Sequence, residues 1–132
     1  MKLYKNLNIS KSHKRSIILI GNFDGVHLGH QKLFKLANNY KKKFDLNIGV
    51  LTFEPMPKMF FNKGIKNFRI SNINQKNIIL KSLGVDFVIT QKFNKKFSKI
   101  NSNFFIKEIL SKRLKAQYIF VSNNFKFGNK RE

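Results

Sequence analysis

The 132 residues predict an α/β domain built on a doubly wound parallel sheet. Short, nearly all-apolar runs alternate with longer stretches whose apolar residues recur at helical spacing. The connections between them are short, and no internal repeat, linker or low-complexity segment divides the chain.

The first apolar run, Ser16 to Gly21 (SIILIG), has the pattern of a central parallel strand buried on both faces. A turn over Asn22 to Gly25 follows it. Leu28, Leu33, Phe34, Leu36 and Ala37 then alternate with polar residues at helical spacing up to about Phe44, which predicts a first helix. Leu46 to Phe53 (LNIGVLTF) is the second expected strand, and Pro55 and Pro57 make Glu54 to Phe68 a loop. Ser71 to Leu83 places Ile73, Ile78, Ile79, Leu80 and Leu83 on one helical face, with Ser71 or Asn72 as N-cap and Gly84 as C-cap. Val85 to Thr90 is the third strand, and Gln91 to Ile100 reads as irregular. Phe104, Phe105, Ile106, Ile109, Leu110 and Leu114 predict a third helix, and Gln117 to Ser122 a fourth strand. Four strands separated by three helices imply parallel pairing through right-handed crossovers. Only NNFKFGNKRE, Asn123 to Glu132, follows the fourth strand. The outer edge of the sheet is therefore expected to lack its next helix and strand, leaving the domain incomplete at its C-terminus.

The chain is long enough to bury one core without staples. It has no cysteine, which excludes a disulfide framework and thiolate metal sites. Three histidines and six acidic residues leave little material for a zinc site, so no resident metal ligands are expected. The early apolar run Ile17 to Ile20 is too short and too late for a signal sequence, and nothing approaches the length of a membrane span. A soluble protein in a reduced, cytoplasmic setting is expected.

The net charge of +21 comes mostly from lysine, 23 against 4 arginines, beside 17 asparagines, 15 isoleucines and 15 phenylalanines. That mixture is what AT-rich codons supply at tolerant surface positions, and most of the surplus reads as a solvated surface. A positive field also attracts polyanions, and charge alone does not choose between a nucleotide and a polynucleotide.

In a doubly wound sheet, ligands sit beyond the carboxyl ends of the strands, and the first strand's loop into a helix N-terminus is a natural phosphate seat. Gly21 to Gln31 (GNFDGVHLGHQ) occupies that place. Gly21 and Gly25 permit the turn, and Gly29 removes a side chain where a phosphate approaches the backbone. His27 and His30, three residues apart at a helix start, can face one anion. Asp24 reads equally as a turn former or a metal-side ligand.

HLGH at this position resembles the HxGH signature of the nucleotidyltransferase superfamily, whose members share a Rossmann-like domain and transfer a nucleotidyl group from ATP or CTP. The four letters also admit class I aminoacyl-tRNA synthetases, pantetheine-phosphate adenylyltransferases and cytidylyltransferases. The longer GNFDGVHLGHQ resembles the first motif of bacterial FAD synthetases, the adenylyltransferase module of bifunctional riboflavin kinase/FMN adenylyltransferases. TFEPMP (Thr52 to Pro57) is similar to that family's TFEPHP loop, and SLGVDFVI (Ser82 to Ile89) and NNFKFG (Asn123 to Gly128) match two further stretches. Order and spacing agree from about residue 1 to residue 132.

The resemblance implies that ATP and FMN combine to give FAD and pyrophosphate, with Mg2+ on the phosphates. It implies catalytic roles for His27 and His30 and contacts to ATP from Gly21, Asn22, Phe23, Asp24, Gly29 and His30. It places Phe61, Phe105, Asn124 and Phe127 at the FMN side; for each Phe, core packing stands beside ring contact as an equal reading. Three positions depart from the family pattern. Met56 stands where a His is usual, and Ser122 and Lys126 replace the more usual Gly and Arg. The family's later Ser/Thr-rich phosphate motif ending in Arg, and the riboflavin kinase domain, are expected to be absent. Two other readings remain: a nucleotide- or flavin-binding remnant without turnover, and a basic RNA-binding protein. The latter lacks the aromatic signature of the common sheet-based RNA-binding domains.

Overall fold

The computed structural model describes residues 1–23, 28–54 and 73–122. In chain order these form β1 (Lys2–Tyr4), a 3-10 turn (Lys11–His13), β2 (Ile17–Ile20), α1 (Leu28–Phe44), β3 (Ile48–Glu54), α2 (Ile73–Ser82) and β4 (Phe87–Lys92). Then come a short α3 (Lys95–Ser98), a single turn α4 (Ser102–Phe104) that runs on as a π-helix over Phe105–Arg113, and β5 (Tyr118–Val121).

The five strands make one sheet in the order β1-β4-β3-β2-β5, with every neighbouring pair parallel. All four residues of β2 are buried, as expected of a strand covered on both faces. Successive side chains alternate between the faces. Ile18, Ile20, Leu51, Phe53, Phe87 and Ile89 pack with Phe93, Phe97, Phe105, Ile109, Leu110 and Leu114. Ile17, Leu19, Ile48, Val50 and Val88 pack on the other side with Phe34, Ala37 and Leu80 from α1 and α2.

The strand order fixes where a ligand belongs. From β2 the chain steps outward through β3 to β4, then returns to lay β5 on the opposite side of β2. The crevice beyond the carboxyl ends of β2 and β5 is thus the topological switch point of the sheet.

The α/β doubly wound class and the four expected strands are present, with instructive differences. β1 has only three residues, exposed or half-buried, and escaped the apolar pattern; it is held by pairing with β4, Lys2 opposite Phe87. The third expected strand starts later, at Phe87, because the Asp86 carboxylate is committed to the backbone N–H of Ile48 at 2.8 Å and to Lys41 Nζ at 2.9 Å. Within Gln91 to Ile100, read as irregular, Asn94 caps α3 by accepting from the Phe97 N–H at 2.9 Å. Gly84 follows α2 with φ +90°, as its C-cap reading requires. The alternative N-caps Ser71 and Asn72, and the loop after Glu54, lie outside the described residues.

Four residues assigned to buried helical faces are instead exposed: Leu36, Ile78, Phe104 and Ile106. On the third helix the cause is its winding. The buried residues Phe105, Ile109, Leu110 and Leu114 recur at the wider π period, and the Leu114 N–H reaches back five residues to the Ile109 carbonyl at 3.0 Å. On α2 the inward position near Ile78 is taken by Lys76.

Gly49 shows how tightly the sheet is covered. It pairs directly with Phe87, whose ring lies where a Cβ on Gly49 would be. That ring stacks on His13 at 4.4 Å and meets the edge of Tyr4 at 6.0 Å, while Tyr4 Oη and His13 Nδ1 are 2.7 Å apart. Phe87 therefore has no room to move aside. Gly49→Ala is expected to lower the unfolding free energy by about 2–3 kcal/mol, read from the urea midpoint at unchanged slope. A midpoint equal to that of the parent chain would contradict this packing.

Candidate active site

The apolar run of β2 ends at Gly21, where the close approach of β5 sets the path of the chain. The Gly21 N–H donates to the Leu51 carbonyl at 3.2 Å, and the Ser122 N–H to the Ile20 carbonyl at 2.9 Å. A Cβ on Gly21 would stand 2.8 Å from Ser122 Cβ and 3.1 Å from the Phe23 ring. Glycine at this position lets the two strand ends approach.

Phe23 has φ +53°, left-handed backbone that costs a bulky residue roughly 1–2 kcal/mol. Burial compensates: its ring is 1% exposed, 5.2 Å from the Phe34 ring and edge-on to His30 at 5.0 Å. The left-handed turn sends the ring against Phe34 of α1. Between Gly21 and Phe23, Asn22 Oδ1 is buried without a hydrogen-bond partner among the described residues. A buried orphan acceptor is uncommon, and here it lies at the crevice.

His30 is the third residue of α1, inside the helix's first turn, where unsatisfied N–H groups make the potential positive. No acidic residue stands in that turn to offset it. The imidazole is nearly buried, with Nε2 3.3 Å from Ser122 Oγ. Gly29 falls in the same turn. The structure thus gathers Gly21, Asn22, Phe23 and His30 at the switch point. It gives Phe23 a supporting rather than a displayed ring.

Phe105 sits in the core, 4% exposed, 6.3 Å from the Phe53 ring and 6.4 Å from that of Phe97. Its ring packs within this aromatic core. Asp24, His27, Phe61, Asn124 and Phe127 lie outside the described residues, as do Met56 and Lys126. Among the described residues no three His, Cys, Asp or Glu side chains come together as a metal site.

Two residues at this end of the sheet were not singled out from the sequence as contributors. Ser122 was noted only as a departure, yet its hydroxyl meets His30. Lys76 is 6% exposed on α2, and its Nζ donates to Thr52 Oγ1 at 3.3 Å. Ile20 pairs with Leu51, so Thr52, the partner of Lys76, follows at the strand end level with Gly21. Its signal in the sequence is positional: Lys76 falls four residues before the buried Leu80, on the inward stripe of α2.

Comparison with known proteins agrees with this geometry. The family model for FAD synthetase matches residues 9–132. The chain is 40% identical, over 99% of its length, to a bifunctional riboflavin kinase/FMN adenylyltransferase of Buchnera aphidicola subsp. Schizaphis graminum, and covers 42% of that protein. It is 34% identical, over its whole length, to the protein of the same description from Escherichia coli K12, covering 43% of it. The chain thus spans about two fifths of the length of these curated relatives. A crystal structure described as a macrolide-efflux protein from Streptococcus pneumoniae superposes with a TM-score of 0.77 at 28% identity, over 98% of this chain and 43% of that one. With the first turn of α1 at the switch point and the family model matching nearly every residue, the chain belongs to the FAD synthetase family.

Proposed function

We propose that residues 1–132 form an FMN adenylyltransferase domain that joins FMN to the AMP part of ATP, giving FAD and pyrophosphate. The observation that carries this reading is the placement of His30: a nearly buried imidazole in the first turn of α1, beside Gly21, at the switch point of the sheet.

The terminal phosphate of FMN is largely ionised at neutral pH, so the attacking oxygen needs no protein base. That oxygen bonds to the α-phosphorus of ATP as the bridge to the β-phosphate breaks, and pyrophosphate leaves with the electron pair. The protein's task is to hold the two phosphates in line and offset the charge that spreads over them. The α1 N-terminus and His30 do this from the described residues, and His27 joins them by its place in the motif. By the family resemblance, Mg2+ would sit with the ATP phosphates. When bound there, it supplies charge neutralisation on the leaving group.

ATP and FMN are thus the partners, with the isoalloxazine side assigned to Phe61, Asn124 and Phe127 by family position. Phe105, whose ring packs in the core, is assigned to the same side by family position. A cytoplasmic place suits a chain without cysteine that uses ATP, and no helix among the described residues is long and apolar enough to cross a membrane.

The test is incubation with FMN, ATP and Mg2+, with FAD and pyrophosphate separated by chromatography. Equal amounts of the two products are expected. Tight ATP binding with no FAD would show a remnant that binds without turnover, and failure to bind either substrate would overturn the reading altogether.

A further inference from the structure

An imidazole that neutralises a phosphate must hold its ring at a fixed angle, yet the side chain turns freely unless something grips it. His30 is gripped from two directions. The Phe23 ring meets it at 5.0 Å with the planes 71° apart, and Ser122, from 92 positions away in the sequence, brings its Oγ to 3.3 Å from Nε2. Ser122 is itself fixed. It is 8% exposed, its N–H is bonded to the Ile20 carbonyl at 2.9 Å, and its Cβ fits against Gly21, where any side chain would crowd it. The contact therefore ties the end of β5 to the first turn of α1 across the strand that lies between.

We infer that Ser122 is a positioning residue for His30, its hydroxyl setting the orientation of the imidazole at the phosphate seat. This rests on the adenylyl-transfer reading for its catalytic meaning. A hydroxyl is suited to the task because it both donates and accepts. It donates to a bare Nε2 in the neutral ring and accepts from Nε2–H in the protonated one, so the grip survives a change of charge.

The test is Ser122→Ala, with two readouts. In steady-state FAD formation, kcat is expected to fall about three- to tenfold, the value of one ordinary hydrogen bond, with a smaller change in the KM for ATP. In nitrogen-resolved NMR of the three histidine rings, the Nε2 resonance of His30 is expected to shift as its hydrogen-bond partner is removed. His13, bonded to Tyr4 Oη at 2.7 Å away from this crevice, serves as the internal reference and stays unchanged. An unchanged His30 spectrum overturns the proposal whatever the rate does, and so does an unchanged kcat in a chain that turns over. Should the parent chain form no FAD, the adenylyl-transfer reading falls, and the spectra still decide whether Ser122 sets the ring.

Discussion

His30→Ala is expected to lower the rate of FAD formation by about a hundred- to a thousandfold, the usual loss when one preorganised donor is removed from a developing anion. The size reflects where the ring sits. A nearly buried imidazole in the first turn of α1 works in a medium of low dielectric, where its charge or dipole is weakly screened. Water cannot replace it with the same orientation, since Phe23 and Ser122 shape the space for a ring. Some stability is lost as well, because the Phe23 ring loses a neighbour. His30→Gln separates the two effects by keeping volume and a donor while removing the ring. The check is kcat for both variants at a temperature where their thermal melts show them folded; a rate within threefold of the parent would contradict the role given to His30.

Phe53→Ala is expected to cost about 3–5 kcal/mol of unfolding free energy, as is usual for emptying a large aromatic from a core. Phe53 is 1% exposed near the carboxyl end of β3, with ring neighbours Phe93 at 5.7 Å, Phe97 at 5.4 Å and Phe105 at 6.3 Å. These rings hold the strand end beside which Thr52 meets Lys76, so the cavity undermines the floor of the site as well as the core. For a domain whose whole stability is roughly 5–15 kcal/mol, the variant stands close to unfolding at room temperature. Urea denaturation monitored by circular dichroism measures it, and a loss below about 1 kcal/mol would show that the aromatic cluster is loosely packed.

The same cluster explains what the sequence concealed. Fifteen phenylalanines offered many candidates for a flat ligand, and nothing local in Phe105 distinguishes a ring at a ligand from a ring in a core. Its partner Phe53 is distant in sequence, and its inward direction depends on a π winding that a reading at α-helical spacing does not anticipate. The strand β1 was hidden for the opposite reason. Lys2 to Tyr4 carry no apolar pattern and owe their extended form to pairing with β4. β2, by contrast, declared itself through four consecutive apolar residues buried on both faces.

The site divides along the same line. The places of Gly21 and His30 were legible because their meaning is local: a glycine at a strand end and a histidine at a helix start. Ser122 and Lys76 take theirs from contacts across 92 and 24 positions, which exist only once β5 is laid beside β2 and α2 over β3. The serine that looked like a departure from the family pattern is, in the fold, the neighbour of His30.

The central claim is that this crevice moves the AMP part of ATP onto FMN, and the position of an isotopic label tests it most directly. With ATP labelled at the α-phosphate, the label is expected in FAD; with ATP labelled at the γ-phosphate, in pyrophosphate. Label from the α-phosphate that never appears in FAD, under conditions where the chain binds both substrates, would contradict the claim.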